Sequence, residues 1–175
     1  MPTLGRDTLA RAVKSVLAEL VEGDQLIVVG DGPQPRAEEV VKGLARVRYL
    51  ETPPTRCWGH AQRNLGMRAA ESTHLAWLDD DDVWLPGARS AIGGGIESFP
   101  DDLLFFRMQL MDQTIWKEPE IRLGNTSTQM YVFPNRPGML RQWERHPSHK
   151  TGRGGDHMFA WQTAALGKGQ VRFLE

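Results

Sequence analysis

The chain has 175 residues, with 21 Lys+Arg against 22 Asp+Glu, a length that suits one domain, since a domain usually takes about 100–200 residues. The near-zero charge argues against a general binder of nucleic-acid backbone, which needs a basic surface excess, and apolar runs such as Leu26–Val29 fall far short of the ~20 residues a membrane-spanning helix requires. Cys57 stands alone, which excludes an internal disulfide and a cysteine-rich zinc site; with no basic-then-apolar leader at the start, the expected setting is soluble, reducing and cytoplasmic.

In chain order, Leu9, Val13, Val16, Leu17 and Leu20 recur at spacings of three and four, which puts them on one face of a helix. Asp7 or Thr8 is positioned to cap its start, and Gly23 lies past its end. Gln25–Val29, rich in β-branched residues and bounded by Gly30-Asp31-Gly32-Pro33, predicts a buried strand that ends in a turn. A short helix over Arg36–Leu44, a strand over Val47–Leu50, a helix over Gly59–Ala70 and a strand over His74–Leu78 follow. Pro86 opens a further helix that reaches Ser98. Helices and strands alternating at this spacing predict a parallel sheet covered on both faces.

Beyond residue 100 the character changes. Leu103–Leu110 and Thr126–Phe133 read as strands, the second preceded by a Gly124-Asn125 turn signal. Asp156–Ala165 reads as a helix and Val171–Leu174 as a last strand. Residues 134–155 form a long Pro-, Gly- and polar-containing loop with Arg136, Arg141, Arg145, Lys150 and Arg153 against Glu144. Such loops are often lids or disordered; this one is either a solvated surface loop or a lid that orders over a diphosphate through charge-assisted hydrogen bonds. The expected fold class is α/β: a single domain over residues 1–175, with a mostly parallel central sheet flanked by helices in residues 1–100 and a smaller antiparallel part in residues 101–175. The strand that usually opens such a domain is either very short or partly missing, since Met1 is followed almost at once by Pro2-Thr3-Leu4-Gly5-Arg6.

Chemistry concentrates where strands end. Asp79-Asp80-Asp81-Asp82 follows the apolar strand Leu75-Ala76-Trp77-Leu78. Four adjacent carboxylates repel one another unless a cation neutralises them, and Mg²⁺ is typically bound by one or two carboxylates plus phosphate oxygens. Open α/β sheets also bind ligands at the C-terminal ends of their strands. The plainer reading is a solvated acidic turn. Asp31 ends another strand; it is either an ordinary turn residue or an acceptor for a ring N–H, which uracil and guanine offer and adenine and cytosine lack. Arg63 lies on the helix between two strands, where most arginines are surface residues. Asp156 opens a helix, where capping is the competing role. His157 is either a third metal ligand or, as a lone histidine more often is, no ligand; His146 and His149 have loose metal-like spacing without supporting ligands, and the six tryptophans are more often core or rim residues than stacking platforms.

These segments together resemble the nucleotide-sugar-dependent glycosyltransferases of family 2, whose fold is termed GT-A. Pro2-Thr3-Leu4-Gly5-Arg6, with Ser15-Val16-Leu17 in the following helix, is similar to that family's first loop and helix. Ile27-Val28-Val29-Gly30-Asp31-Gly32 resembles its second strand, with Gly30 replacing one of two acidic residues. Ala61-Gln62-Arg63-Asn64-Leu65-Gly66 resembles the segment whose arginine contacts the base. Leu78–Pro86 resembles the metal-binding Asp-x-Asp region and is the most specific match. Gly155-Asp156-His157, followed by Trp161 and Gly167, resembles the late Glu-Asp motif, with glycine in place of glutamate.

The resemblance implies inverting transfer of a sugar from a nucleoside-diphosphate sugar, UDP in preference to GDP, to an acceptor hydroxyl. On that reading Asp156 is the catalytic base, and Asp79 and Asp81 hold Mn²⁺ or Mg²⁺ against the diphosphate. Asp80 reaches ribose or sugar hydroxyls, Asp31 and Arg63 grip the base, and Pro2, Thr3 and Leu4 line it through their backbone. Two rivals are weighed: a metal-dependent nucleotidyltransferase, for whose basic glycine-rich loop Gly5-Arg6 is too sparse, and a non-catalytic nucleotide-sugar-binding domain, which Gly30 and Gly155 favour.

Overall fold

The structure, a computed structural model, describes residues 1–144 and 155–175. The chain forms two compact units, residues 1–72 with 78–91 and residues 73–77 with 92–175.

In the first unit three strands, β1 (Pro2–Thr3), β2 (Leu26–Asp31) and β3 (Val47–Thr52), pair in parallel in that order. Val29 lies opposite Pro2, and Leu26 and Asp31 lie opposite Val47 and Thr52. Parallel neighbours need crossovers, and α1 (Leu9–Leu17) and α2 (Pro35–Val41) supply them, with α3 (His60–Ala69) following β3. Leu9, Val13 and Val16 form the predicted apolar face of α1; they pack with Leu26, Val28, Ala37, Val41 and Leu78 in one buried cluster. The expected opening strand is present but two residues long. The expected cap of α1 is not made. Thr8 sits at φ −73°, ψ −22°, inside the helical region, and its side chain makes no capping bond. Asp7 instead pairs with Arg36.

The second unit holds a four-stranded sheet in the order β4 (His74–Ala76), β8 (Tyr131–Pro134), β5 (Leu103–Phe106), β9 (Val171–Leu174). β4 ends two residues before the predicted boundary and joins β8 in antiparallel register, Leu75 opposite Phe133. It therefore does not continue the parallel array that alternation implied. The long strand expected over 103–110 is two. β5 stays in the sheet, while β6 (Met108–Leu110) turns back on β7 (Gln113–Ile115) as a separate hairpin. Met111, at φ +54°, makes the reversal without the Asn-Gly or Asp-Gly signature that would announce it. The strand expected from Thr126 starts later, because Thr128–Met130 is a turn of 3₁₀ helix. Trp77, Phe105, Tyr131, Phe133 and Phe159 interlock around the sheet at ring-centroid distances of 5.2–6.3 Å. Such spacings favour edge-to-face and offset contacts. α4 (Ala88–Ser98) carries the chain from the first unit to the second, and α5 (Gly155–Ala164) precedes β9.

Of the expected lid, residues 145–154 lie outside the described residues, and with them Arg145, Lys150 and Arg153. Arg136 is described and pairs with Asp101 at 2.5 Å. Among the described residues no helix is long and apolar enough to cross a membrane.

Candidate functional site

The C-terminal ends of β1 and β2, the loop after β3, the start of α3 and the aspartate run gather most of the predicted site residues within the first unit. β1 ends in Thr3, whose hydroxyl donates to Asp80 Oδ2 at 2.6 Å. The Leu4 N–H reaches the same oxygen at 3.3 Å, and the Gly5 N–H donates to Thr3 Oγ1 at 2.9 Å. Asp80 is only 4% exposed, a burial that a carboxylate tolerates when charge-assisted hydrogen bonds replace its water. Arg6 adds a cation, its Nη1 lying 3.3 Å from Asp80 Oδ1 and 2.6 Å from Asp81 Oδ2. The segment Pro2-Thr3-Leu4 is thus fixed by an aspartate some 77 positions later.

Asp79 forms an ion pair with Arg63. Arg63 is buried on α3, and its Nη1 also donates to the carbonyl of Trp58 at 2.8 Å. The closeness of this corner is visible at Gly59, whose φ is +77° and where an added Cβ would meet Arg63 Nη1 at 2.9 Å and the Pro2 ring at 3.0 Å. The structure therefore brings Pro2, Thr3, Arg63, Asp79 and Asp80 together.

Asp31 ends β2 as predicted, and its carboxylate is engaged from within the chain. Oδ1 accepts from the Thr55 N–H at 2.5 Å and the Thr55 hydroxyl at 3.1 Å, and Oδ2 from the Arg56 N–H at 2.9 Å. It holds the loop that follows β3. Gln62 braces the same loop, its Nε2 donating to Thr52 Oγ1 at 2.7 Å and Thr55 Oγ1 at 3.2 Å. Asp156 lies in the second unit, in the first turn of α5.

Among the described residues no three of His, Cys, Asp and Glu converge into a ready cage for a metal ion. The aspartate run nevertheless suits a hard divalent cation that shares its ligands with phosphate oxygens, because such an ion needs only one or two carboxylates from the protein. Asp81 is half-exposed, and the cluster already draws the half-exposed guanidinium of Arg6. Asp79 and Asp81 offer oxygen donors of the right hardness.

Three contributors escaped the sequence reading. Arg6 carried a signal only as part of the opening motif. Gln62 likewise appeared only inside the motif around Arg63, and Thr55 carried no signal, since hydrogen bonds to Asp31 and across a loop have no local pattern.

A family model described as Glycosyl transferase family 2 matches residues 1–104. The succinoglycan biosynthesis protein ExoW of Rhizobium meliloti (strain 1021) is 36% identical over 84 residues, covering 45% of this chain and 26% of ExoW. Among solved structures, S. aureus TarS 1-349 superimposes with a TM-score of 0.78 at 16% identity, over 99% of this chain and 56% of TarS 1-349. The same protein in complex with UDP-GlcNAc superimposes with a TM-score of 0.74 at 15% identity, over 99% of this chain and 54% of that one. The likeness establishes the α/β, GT-A-like fold, and the chain spans about a quarter of ExoW and just over half of TarS 1-349.

Proposed function

The chain belongs to glycosyl transferase family 2, and from that premise we propose that it takes part in moving a sugar from a nucleoside-diphosphate sugar to an acceptor hydroxyl. The observation that carries the reading is the buried Asp80 carboxylate locking Thr3 and Leu4 beside the Arg63–Asp79 pair. All five residues lie in the stretch that matches the family. TarS is known in complex with UDP and with UDP-GlcNAc, which supports a uridine donor here ahead of a guanosine one.

The residues divide the work by charge. Pro2, Thr3 and Leu4 present backbone to the nucleoside, and Asp80 holds that backbone in place. Arg63 offers donors at the base, and Asp31 sets both its own acceptor edge and the loop beside it. Asp79 and Asp81 would hold Mn²⁺ or Mg²⁺, which when bound offsets the charge that builds on the leaving diphosphate. Asp156 is assigned to take the proton of the acceptor hydroxyl, so that the oxygen attacks the anomeric carbon opposite the leaving group and configuration inverts.

Calorimetry of UDP-sugars with Mn²⁺ and with EDTA tests the donor half. Binding is expected with Mn²⁺ and lost in EDTA, and Asp81→Asn should weaken it far more than Asp82→Asn. Undiminished binding in EDTA overturns the cation's place in the reading. Failure of every nucleoside diphosphate to bind overturns the reading itself. Release of UDP, absent in Asp156→Asn, separates transfer from mere binding.

A further inference from the structure

Trp58 departs from the usual fate of a tryptophan. Its residue is 61% exposed, and its ring has no aromatic or cation partner among the described residues. Its backbone lies at φ +54°, a left-handed conformation that bulky residues rarely adopt. Arg56 at φ +48° and Gly59 at φ +77° share it. Strain of this kind persists only where the surroundings over-determine it, and it clusters at ligand sites.

The surroundings here do over-determine it. Asp31 accepts from the Thr55 and Arg56 N–H groups, Gln62 donates to the Thr55 hydroxyl oxygen, Arg63 donates to the Trp58 carbonyl at 2.8 Å, and the His60 N–H donates to the Cys57 carbonyl at 2.9 Å. Pro54 fills the space above Gly32, where a Cβ would come within 2.8 Å of its ring. A chain section held by this many bonds, yet carrying its largest apolar side chain into solvent, is built to present that side chain.

What it presents to follows from its neighbours. The groups that pin the loop are Asp31 and Arg63, an acceptor and a donor suited to the edge of a heterocycle, and Pro2 lies against Gly59. The carboxylates that suit a cation and a diphosphate begin at Asp79, which pairs with the same Arg63. An exposed indole on a loop whose backbone Asp31 and Arg63 hold offers a face on which a planar base stacks, and such stacking tolerates any base because each has a π-face.

We propose that the indole of Trp58 is the stacking platform for the nucleobase of the donor, a role resting on the nucleotide-sugar reading above. It supplies affinity without base preference, while Asp31 and Arg63 supply preference.

The test compares wild type, Trp58→Ala, Trp58→Phe and Trp58→Gly by calorimetry with UDP, GDP and ribose 5-phosphate in the presence of Mn²⁺. Trp58→Ala should lose roughly tenfold in affinity for UDP and for GDP alike, leaving their ratio unchanged. Trp58→Phe should stay within about threefold of wild type. Ribose 5-phosphate, which lacks the base, should bind all four proteins equally. Trp58→Gly relieves the left-handed backbone, so its Tm should hold or rise while its UDP affinity falls, a combination that a purely structural tryptophan does not produce. UDP affinity in Trp58→Ala within twofold of wild type, or an equal loss for ribose 5-phosphate, overturns the stacking role and leaves the donor reading standing. Absence of UDP and GDP binding in wild type overturns both.

Discussion

At the scale of single residues, the site is a set of charges made tolerable by their neighbours. Arg63 and Asp79 lie side by side, with Arg63 only 5% exposed at its side chain. Removing one member of such a pair leaves the other uncompensated. Arg63→Ala should therefore cost about 2–4 kcal/mol, seen as a Tm lower by roughly 5–15 °C. A shift under about 2 °C would show that water replaces the guanidinium at little cost. Thr3→Val deletes the 2.6 Å bond to the buried Asp80 and should cost about 1–3 kcal/mol, with UDP affinity falling in parallel because the Gly5 N–H loses its acceptor and the opening segment one of its holds on Asp80. Thr8 runs the other way. Its hydroxyl is buried without a hydrogen-bond partner among the described residues, so Thr8→Val should be neutral or stabilising by up to about 1 kcal/mol. A clear drop in Tm would mean that the hydroxyl is satisfied in solution.

At the scale of elements, α4 contrasts two adjacent glycines. An added Cβ at Gly94 meets nothing within 4 Å, whereas at Gly95 it would lie 2.9 Å from Leu174 Cδ1 and from Phe106 Cζ. Alanine improves helix propensity at both by about 1 kcal/mol, but overpacking a filled core costs about 1–3 kcal/mol. Gly94→Ala should raise the midpoint of chemical denaturation, and Gly95→Ala should leave it unchanged or lower it. Equal gains at both positions would show that the side chains of β5 and β9 yield freely. The same contrast explains how far the elements were legible. α1, β2, α3, α5 and β9 each carry their own periodicity, composition or boundary signals. The hairpin of β6 and β7 does not, because Met111 reverses the chain in a conformation its residue type disfavours.

At the scale of the molecule, distant segments are tied by charge. Arg89 clasps Asp24 with two hydrogen bonds, 2.6 and 3.1 Å, across 65 positions. Burial alone would raise the Asp24 carboxyl, but the hydrogen bond from Arg89, the Val21 N–H and the charges of Arg89 and Arg46 outweigh it and hold the group below its ordinary 3.8. A carboxyl depressed on folding contributes stability above its unfolded pKa and loses it as pH falls through the folded value. Asp24→Asn should therefore cost about 1–2 kcal/mol at pH 7, and the gap between variant and wild type should close as pH falls below about 4. A gap that persists at pH 2 would assign the loss to packing instead of charge.

The candidate site was legible to the degree that its signals were local. Four aspartates after an apolar strand, Asp31 after a β-branched run and Arg63 in its helix are visible because each lies next to the element that positions it. Arg6 lies 74 positions from Asp80, and nothing in either neighbourhood names the other. The same limit applies to Trp58. Composition reads a tryptophan as a core or rim residue, and the bonds that hold its loop come from Asp31, Gln62 and Arg63, all distant from it or silent about it in sequence. By itself, then, the sequence determined the succession of helices and strands, the apolar faces and the acidic strand end, since propensity and periodicity act within about ten residues. Tertiary structure alone decided that β4 runs antiparallel to β8, which cation meets which carboxylate, and which tryptophans face solvent, because strand pairing, ion pairing and exposure depend on what the closed chain brings alongside.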